Sequence, residues 1–66
     1  MIVSVNGERR ELPRGTTIAG LVEDFPGPRR GVAVAIDGEV VPRGEWLETQ
    51  LAEGARVEVV AAIQGG

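Results

Sequence analysis

The chain has 66 residues with seven basic and ten acidic side chains, a formal net charge of -3, and no histidine or cysteine. A domain of this size buries only about 60% of the surface that its unfolded chain exposes, which leaves no room for a deep substrate pocket beside a core. The composition excludes disulfides, thiolate and imidazole chemistry and the usual zinc sites. The negative charge disfavours nucleic-acid binding. These limits favour a carrier, an adaptor or a binding module over an enzyme.

The first predicted unit is a β-hairpin. Residues 2–5 alternate between two faces as a half-buried strand does, and residues 8–12 provide the return strand. Asn6-Gly7 lies between them, and this dipeptide is typical of tight hairpins because both turn positions need a positive φ.

The second predicted unit is a helix. Thr16 is the predicted N-cap, since its hydroxyl can accept a hydrogen bond from the first helical turn. Ile18, Leu21, Val22 and Phe25 follow at the spacing of one helical face, and a proline then ends the helix.

The remaining sequence predicts three strands and a segment of short helical turns. Apolar side chains alternate along each strand, and glycine-containing turns separate the segments. The predicted segments are Gly31 to Ile36, Glu39 to Val41, the helical turns of Arg43 to Leu51, and Arg56 to Ala62 with Val57 and Val59 facing inward.

The element order is therefore β-β-α-β-β-β. The strand after the helix is expected to run parallel to the strand before it. One main helix across a mixed four- to five-stranded sheet is the economical packing for this order. We therefore predict an α+β fold, the ubiquitin-like β-grasp, in residues 1–62, followed by a flexible tail at residues 63–66.

Catalytic motifs are missing from the sequence. Neither the phosphate-binding G-x-x-x-x-G-K-[ST] pattern nor G-x-G-x-x-G occurs, and no nucleophile has a histidine to activate it. We predict no catalytic residue and no metal site, and we expect Trp46 to pack on the sheet. Without a membrane-spanning stretch or a signal peptide, the expected location is the cytoplasm, with no membrane partner.

The segment AAIQGG at residues 61–66 has two interpretations. Chain ends are commonly frayed, so the two glycines can be idle. Alternatively, Gly65 and Gly66 let the backbone pass a narrow channel, because neither carries a Cβ. The α-carboxylate of Gly66 is ionised at neutral pH and a poor electrophile, so it must be activated, for example as an acyl-adenylate. The chain has no nucleotide-binding motif, so a partner enzyme would have to activate it.

Two segments, VAVAIDGEVVPRGEW at residues 32–46 and EGARVEVVAAIQGG at residues 53–66, resemble the ThiS family of thiamine-biosynthesis sulfur carriers. The resemblance implies a protein cosubstrate that binds no cofactor and is not itself an enzyme. An E1-like adenylyltransferase would use ATP and Mg²⁺ to adenylate Gly66. Sulfur from a cysteine desulfurase system would then form a thiocarboxylate, which thiazole synthase would consume. Gly66 would bear the sulfur, and Gly65 and Gln64 would give access to it.

A docking surface is also predicted on the outer face of the sheet. Alternation places small or apolar side chains there, and a contiguous apolar patch indicates an interface. The predicted partner-binding residues are Ile2, Ala33, Ala35, Val60 and Ala62.

Three alternatives remain open at this point. The chain could be a sulfur carrier of another pathway, of the molybdopterin synthase small-subunit type. It could be a ubiquitin-like modifier, although the absence of lysine prevents chain building through its own side chains. It could also be an interaction module with idle glycines. The free protein is expected to be a monomer.

Overall fold

The computed structural model describes residues 1–25 and 31–61. The predicted order β-β-α-β-β-β is confirmed, while Ala62, placed at the end of the last strand, and the tail at residues 63–66 lie outside the described residues. The elements are β1 (Ile2–Val5), β2 (Glu8–Glu11), α1 (Ile18–Glu23), β3 (Val32–Ile36), β4 (Glu39–Val41), the 3-10 helix η1 (Arg43–Glu45) and β5 (Arg56–Ala61).

The five strands form one mixed sheet in the order β2-β1-β5-β3-β4. The central pair, β1 and β5, is parallel, whereas the other neighbouring strands are antiparallel. It follows that β3 runs in the same direction as β2, as expected for strands joined through a helix. Within residues 1–25 and 31–61, five strands and one α-helix make the predicted β-grasp architecture, for which a four- to five-stranded sheet was expected.

Both predicted hairpin turns have the backbone that their sequences require. Asn6 and Gly7 have φ values of 53° and 83°, and Asp37 and Gly38 have values of 51° and 89°. Two successive positive φ angles define the type I′ turn, whose twist matches that of the flanking strands.

The core lies between α1 and one face of the sheet. Ile18, Leu21 and Val22 project from the helix onto Val3 and Val57, as the spacing predicts. Trp46, which is only 7% exposed, packs into the same cluster, and its Nε1 donates to the carbonyl of Val41 at 2.9 Å. The buried set is Val3, Val5, Ile18, Leu21, Val22, Val34, Trp46, Leu51, Ala55 and Val57.

The predicted N-cap was wrong by one residue. Thr17, not Thr16, caps α1, and its Oγ1 accepts from the amide of Gly20 at 3.1 Å. The reason is a tertiary contact: Thr17 forms an isolated antiparallel bridge with Gln50, which keeps it extended. The hydroxyl of Thr16 instead donates to the carbonyl of Pro13 at 2.7 Å.

The helix also ends earlier than the apolar spacing suggests. Glu23 is its last residue and Asp24 its C-cap, so Phe25 lies beyond the helix, although its side chain still packs against the core. In the segment predicted as short helical turns, Arg43–Glu45 form η1 and Leu51 is buried in the core.

Candidate functional site

The last described residue before the predicted tail is Ala61, at the end of β5, and we refer to this end of the strand as the root of the tail. This strand pairs with β3 through Ala61, where its Cα lies opposite that of Val32. The predicted attachment and access residues, Gly66, Gly65 and Gln64, lie outside the described residues. The structure therefore gives the position of Ala61, the last described residue before them, beside Val32 of β3.

An apolar patch lies on the open face of the sheet beside this root. Val60 and Ala33 are opposed across β5 and β3, and Ala35 is the next outward position of β3. Val40 of β4 is opposed to Ala35. Val60 is 60% exposed and Val40 is 74% exposed, so their side chains are largely in solvent. We refer to Ala33, Ala35, Val40 and Val60 as the apolar patch.

Val40 was not predicted as part of this surface. Its neighbour Val41 packs against the core, so alternation along β4 turns Val40 to the open face. That alternation is visible in the sequence. The register that sets Val40 opposite Ala35 also follows from the two-residue turn at Asp37-Gly38, so the sequence carried both signals for including Val40.

One predicted surface residue, Ile2, is not brought together with the patch. Ile2 lies opposite Glu11, and its carbonyl accepts from the amide of Gly54 at the other end of β5. Six positions of strand separate Gly54 from Val60, a span of about 20 Å. Ala62 lies outside the described residues.

Charged side chains occupy the open face between Ile2 and the patch. Arg56 and Glu58 are the outward residues of β5 in this interval, and both are exposed. On the β2 side, Arg9 lies opposite Ser4 and Glu11 opposite Ile2. The open face is therefore apolar near the root and polar elsewhere, the arrangement of an interface core with its rim.

The described residues contain no grouping typical of a catalytic centre. In residues 1–25 and 31–61 no polar or charged residue is buried, so no acid or base is desolvated there. Over the same ranges no three carboxylate, thiol or imidazole side chains come together to hold a metal ion. No helix among these residues is long and apolar enough to cross a membrane. What the described residues do present is the apolar patch beside the end of β5.

Comparison with known sequences identifies the family of this chain. The sequence model of the ThiS family matches residues 3–66, which is nearly the whole chain. The chain belongs to the ThiS family. The resemblance seen in the sequence is therefore confirmed, and the match includes the segment at residues 62–66 that the structure does not describe.

Individual relatives of this ThiS-family chain agree with the assignment. The sulfur carrier protein ThiS of Thermus thermophilus is 38% identical over 98% of this chain and 100% of its own length. The crystal structure of the thiamine biosynthesis protein ThiS from Geobacter metallireducens superposes with a TM-score of 0.84 at 25% identity, covering 100% of both chains.

A third relative has a different length. The thiazole synthase of Paramagnetospirillum magneticum is 32% identical over 100% of this chain. The chain spans only 20% of that relative's length. A ThiS-like segment therefore also occurs within a much longer polypeptide whose name is that of a thiazole synthase.

Proposed function

We propose that this member of the ThiS family is a sulfur carrier protein for thiamine biosynthesis, with the carboxylate of Gly66 as the attachment point. The match of residues 3–66 to the family carries the proposal. The geometry supports it, because β5 is paired on both sides and ends beside an apolar patch. Gly65 and Gln64 would give the carboxylate access to another protein's active site.

The chemistry would proceed through an activated acyl group. A carboxylate oxygen attacks the α-phosphorus of ATP, and pyrophosphate leaves to give an acyl-adenylate. The outer sulfur of a persulfide then displaces AMP. A thiol cleaves the resulting acyl disulfide and releases the thiocarboxylate, whose sulfur is a soft nucleophile. The ATP and Mg²⁺ would be bound by the partner enzyme, since the sequence has neither the G-x-x-x-x-G-K-[ST] nor the G-x-G-x-x-G pattern.

Three partners fit this chemistry. An E1-like adenylyltransferase would dock on the apolar patch and receive the tail in its active site. A cysteine desulfurase system would supply the persulfide. Thiazole synthase would consume the sulfur, and the thiazole synthase relative with a ThiS-like segment supports this partner. The carrier would act as a cytoplasmic monomer between these enzymes.

The proposal is tested by intact mass measurement. The purified protein is incubated with ATP, Mg²⁺, a sulfur source and the adenylyltransferase of the same organism. We expect a mass gain equal to replacement of one oxygen by sulfur. Oxidation of Met1, the single methionine, gives the same nominal gain. The modification must therefore be mapped after cleavage at Arg56, which releases residues 57–66 without methionine.

The matched control is deletion of Gly66, which shortens the chain without touching a described residue. This variant should remain folded and gain no sulfur. An unmodified wild-type protein, in the presence of an adenylyltransferase shown to be active on its own carrier, would contradict the proposal. Sulfur found on a residue other than Gly66 would also contradict it.

A further inference from the structure

The backbone ladder between β1 and β5 stops before β5 does. The amide of Ser4 donates to the carbonyl of Ala55 at 3.0 Å, and the amide of Asn6 donates to that of Val57 at 2.8 Å. The next carbonyl on this side of β5 belongs to Val59, because successive residues of a strand alternate their polar groups between its two edges. β1 does not extend as far as Val59, because the chain turns at Asn6 and Gly7 into β2.

The side chain of Asn6 occupies the place of the missing backbone. Its Nδ2 donates to the carbonyl of Val59 at 3.1 Å, and its Oδ1 accepts from the amide of the same residue at 2.8 Å. An asparagine side chain carries one acceptor and a donor in an amide plane, as a peptide group does. Val59 is therefore paired on the β1 side although β1 has ended.

The opposite edge of β5 is held by backbone pairing with β3. Val60 lies opposite Ala33, and Ala61 lies opposite Val32. The end of β5 is consequently held along one edge by the strand β3 and, at Val59 alone, along the other edge by a single side chain. Without that side chain, the root would be held along one edge only from Val57 onward.

We propose that Asn6 is a positioning residue for the carrier reaction, holding the root of the tail so that Gly66 leaves the sheet in one direction. The inference rests on the proposed function. Five residues follow Ala61 in the sequence, and a chain of this length spans at most about 17 Å when it is drawn out into a partner's channel. A small rotation at the root would therefore displace the terminal carboxylate by several times the tolerance of a reacting centre, which is on the order of 0.5 Å.

Asparagine at position 6 suits both the type I′ turn and the pairing with Val59. The φ of 53° at position 6 is accepted by glycine and aspartate as well as asparagine. Glycine would leave both polar groups of Val59 to water, and aspartate would place an anionic oxygen against its carbonyl. Of these three turn residues, only asparagine both forms the turn and pairs with Val59.

Asn6→Gly is the direct test, because glycine keeps the positive φ and removes both side-chain bonds. Amide hydrogen exchange is followed by NMR. We expect the Val59 amide to exchange about tenfold faster, as the loss of these hydrogen bonds implies. Thr17→Ala is the matched control: it removes the helix-cap bond to the Gly20 amide and should speed Val59 exchange no more than that of the other core amides, by the amount that its lost global stability implies. The Val59 effect of Asn6→Gly is therefore read relative to those core amides.

Adenylation kinetics are measured on the same proteins at a temperature where all are folded. We expect kcat to fall about tenfold for Asn6→Gly, as for a misplaced reacting group. The KM should change less than about twofold, because docking through the apolar patch is kept and only uniform binding moves KM alone. Thr17→Ala should leave both constants unchanged.

Equal kcat for Asn6→Gly and wild type would overturn the positioning role, as would equal losses in Asn6→Gly and Thr17→Ala. Unchanged exchange at Val59 would show that Asn6 does not hold the root. If wild-type protein is not adenylated at all, the proposed function fails, and positioning for that reaction fails with it. Faster exchange in Asn6→Gly would then still establish the hold on Val59.

Discussion

Gly20 lowers the stability of α1, and no contact in the described part of the domain requires a glycine there. It lies inside α1, where glycine costs roughly 1 kcal/mol relative to alanine. A Cβ built at this position would meet only the Oγ1 of Thr17, at the ordinary contact distance of 3.5 Å. Gly20 is also exposed and has no positive φ.

We expect Gly20→Ala to raise the free energy of unfolding by about 0.5–1 kcal/mol, because the unfolded chain loses freedom and the helix loses nothing. Chemical denaturation measures the change. Gly38→Ala is the opposite control, since Gly38 has a φ of 89° with open space around it. It should destabilise by about 1 kcal/mol. A destabilised Gly20→Ala variant would show that the helix needs the missing side chain.

At the site, the sequence indicates on which face of the sheet a residue lies better than where along that face it lies. Alternation assigned Ile2, Ala33, Ala35 and Val60 to one face, because side-chain direction has a period of two in any strand. Position along that face depends on register, and the register of β1 against β5 is set by contacts more than fifty residues apart. For this reason Ile2 was grouped with Val60, although it lies at the other end of β5.

The first residue of α1 also depends on contacts between residues that are distant in the sequence. Both Thr16 and Thr17 are good capping residues, so the sequence gives no local reason to prefer one. Pairing of residues 16–18 with residues 49–51 makes the choice, through bonds from Leu51 to Thr16 and from Ile18 to Thr49. The two hairpin turns were predictable because their chemistry is local.

The two threonines provide a matched pair for measurement. Thr17→Ala removes the acceptor of the Gly20 amide and should cost about 1 kcal/mol of stability. Thr16→Ala removes an exposed bond to Pro13 in a turn and should cost about half as much, near the lower limit for a hydrogen bond. Thermal or urea unfolding distinguishes them. A larger loss at Thr16 would contradict the capping geometry.

At the scale of the whole molecule, the fold separates stability from recognition. The core lies on one side of the sheet, and the apolar patch lies on the other. A charge introduced at the patch should therefore leave folding intact. A carboxylate introduced into the patch would be buried without a partner once the adenylyltransferase docks, and this desolvation lowers the binding free energy.

We expect Val60→Glu to weaken binding to the adenylyltransferase by at least about tenfold, equivalent to 1.4 kcal/mol. Isothermal titration calorimetry measures the affinity, and circular dichroism confirms the fold. Leu47→Glu is the matched control, since Leu47 is 77% exposed, lies outside the sheet and undergoes the same change in charge. Equal affinity of Val60→Glu and wild type would remove the patch from the interface.

The parallel pairing of β1 with β5 has a consequence for synthesis on the ribosome. β5 is the central strand of the sheet and the last strand of the described residues, and it pairs with β1, the first, so β5 must be made before the two halves of the sheet can join. Contacts of such wide separation slow folding, because a long loop must close before they contribute. A nascent chain lacking β5 has no folded sheet to offer a partner. The apolar patch, which includes Val60 of β5, can therefore form only after translation has passed this strand.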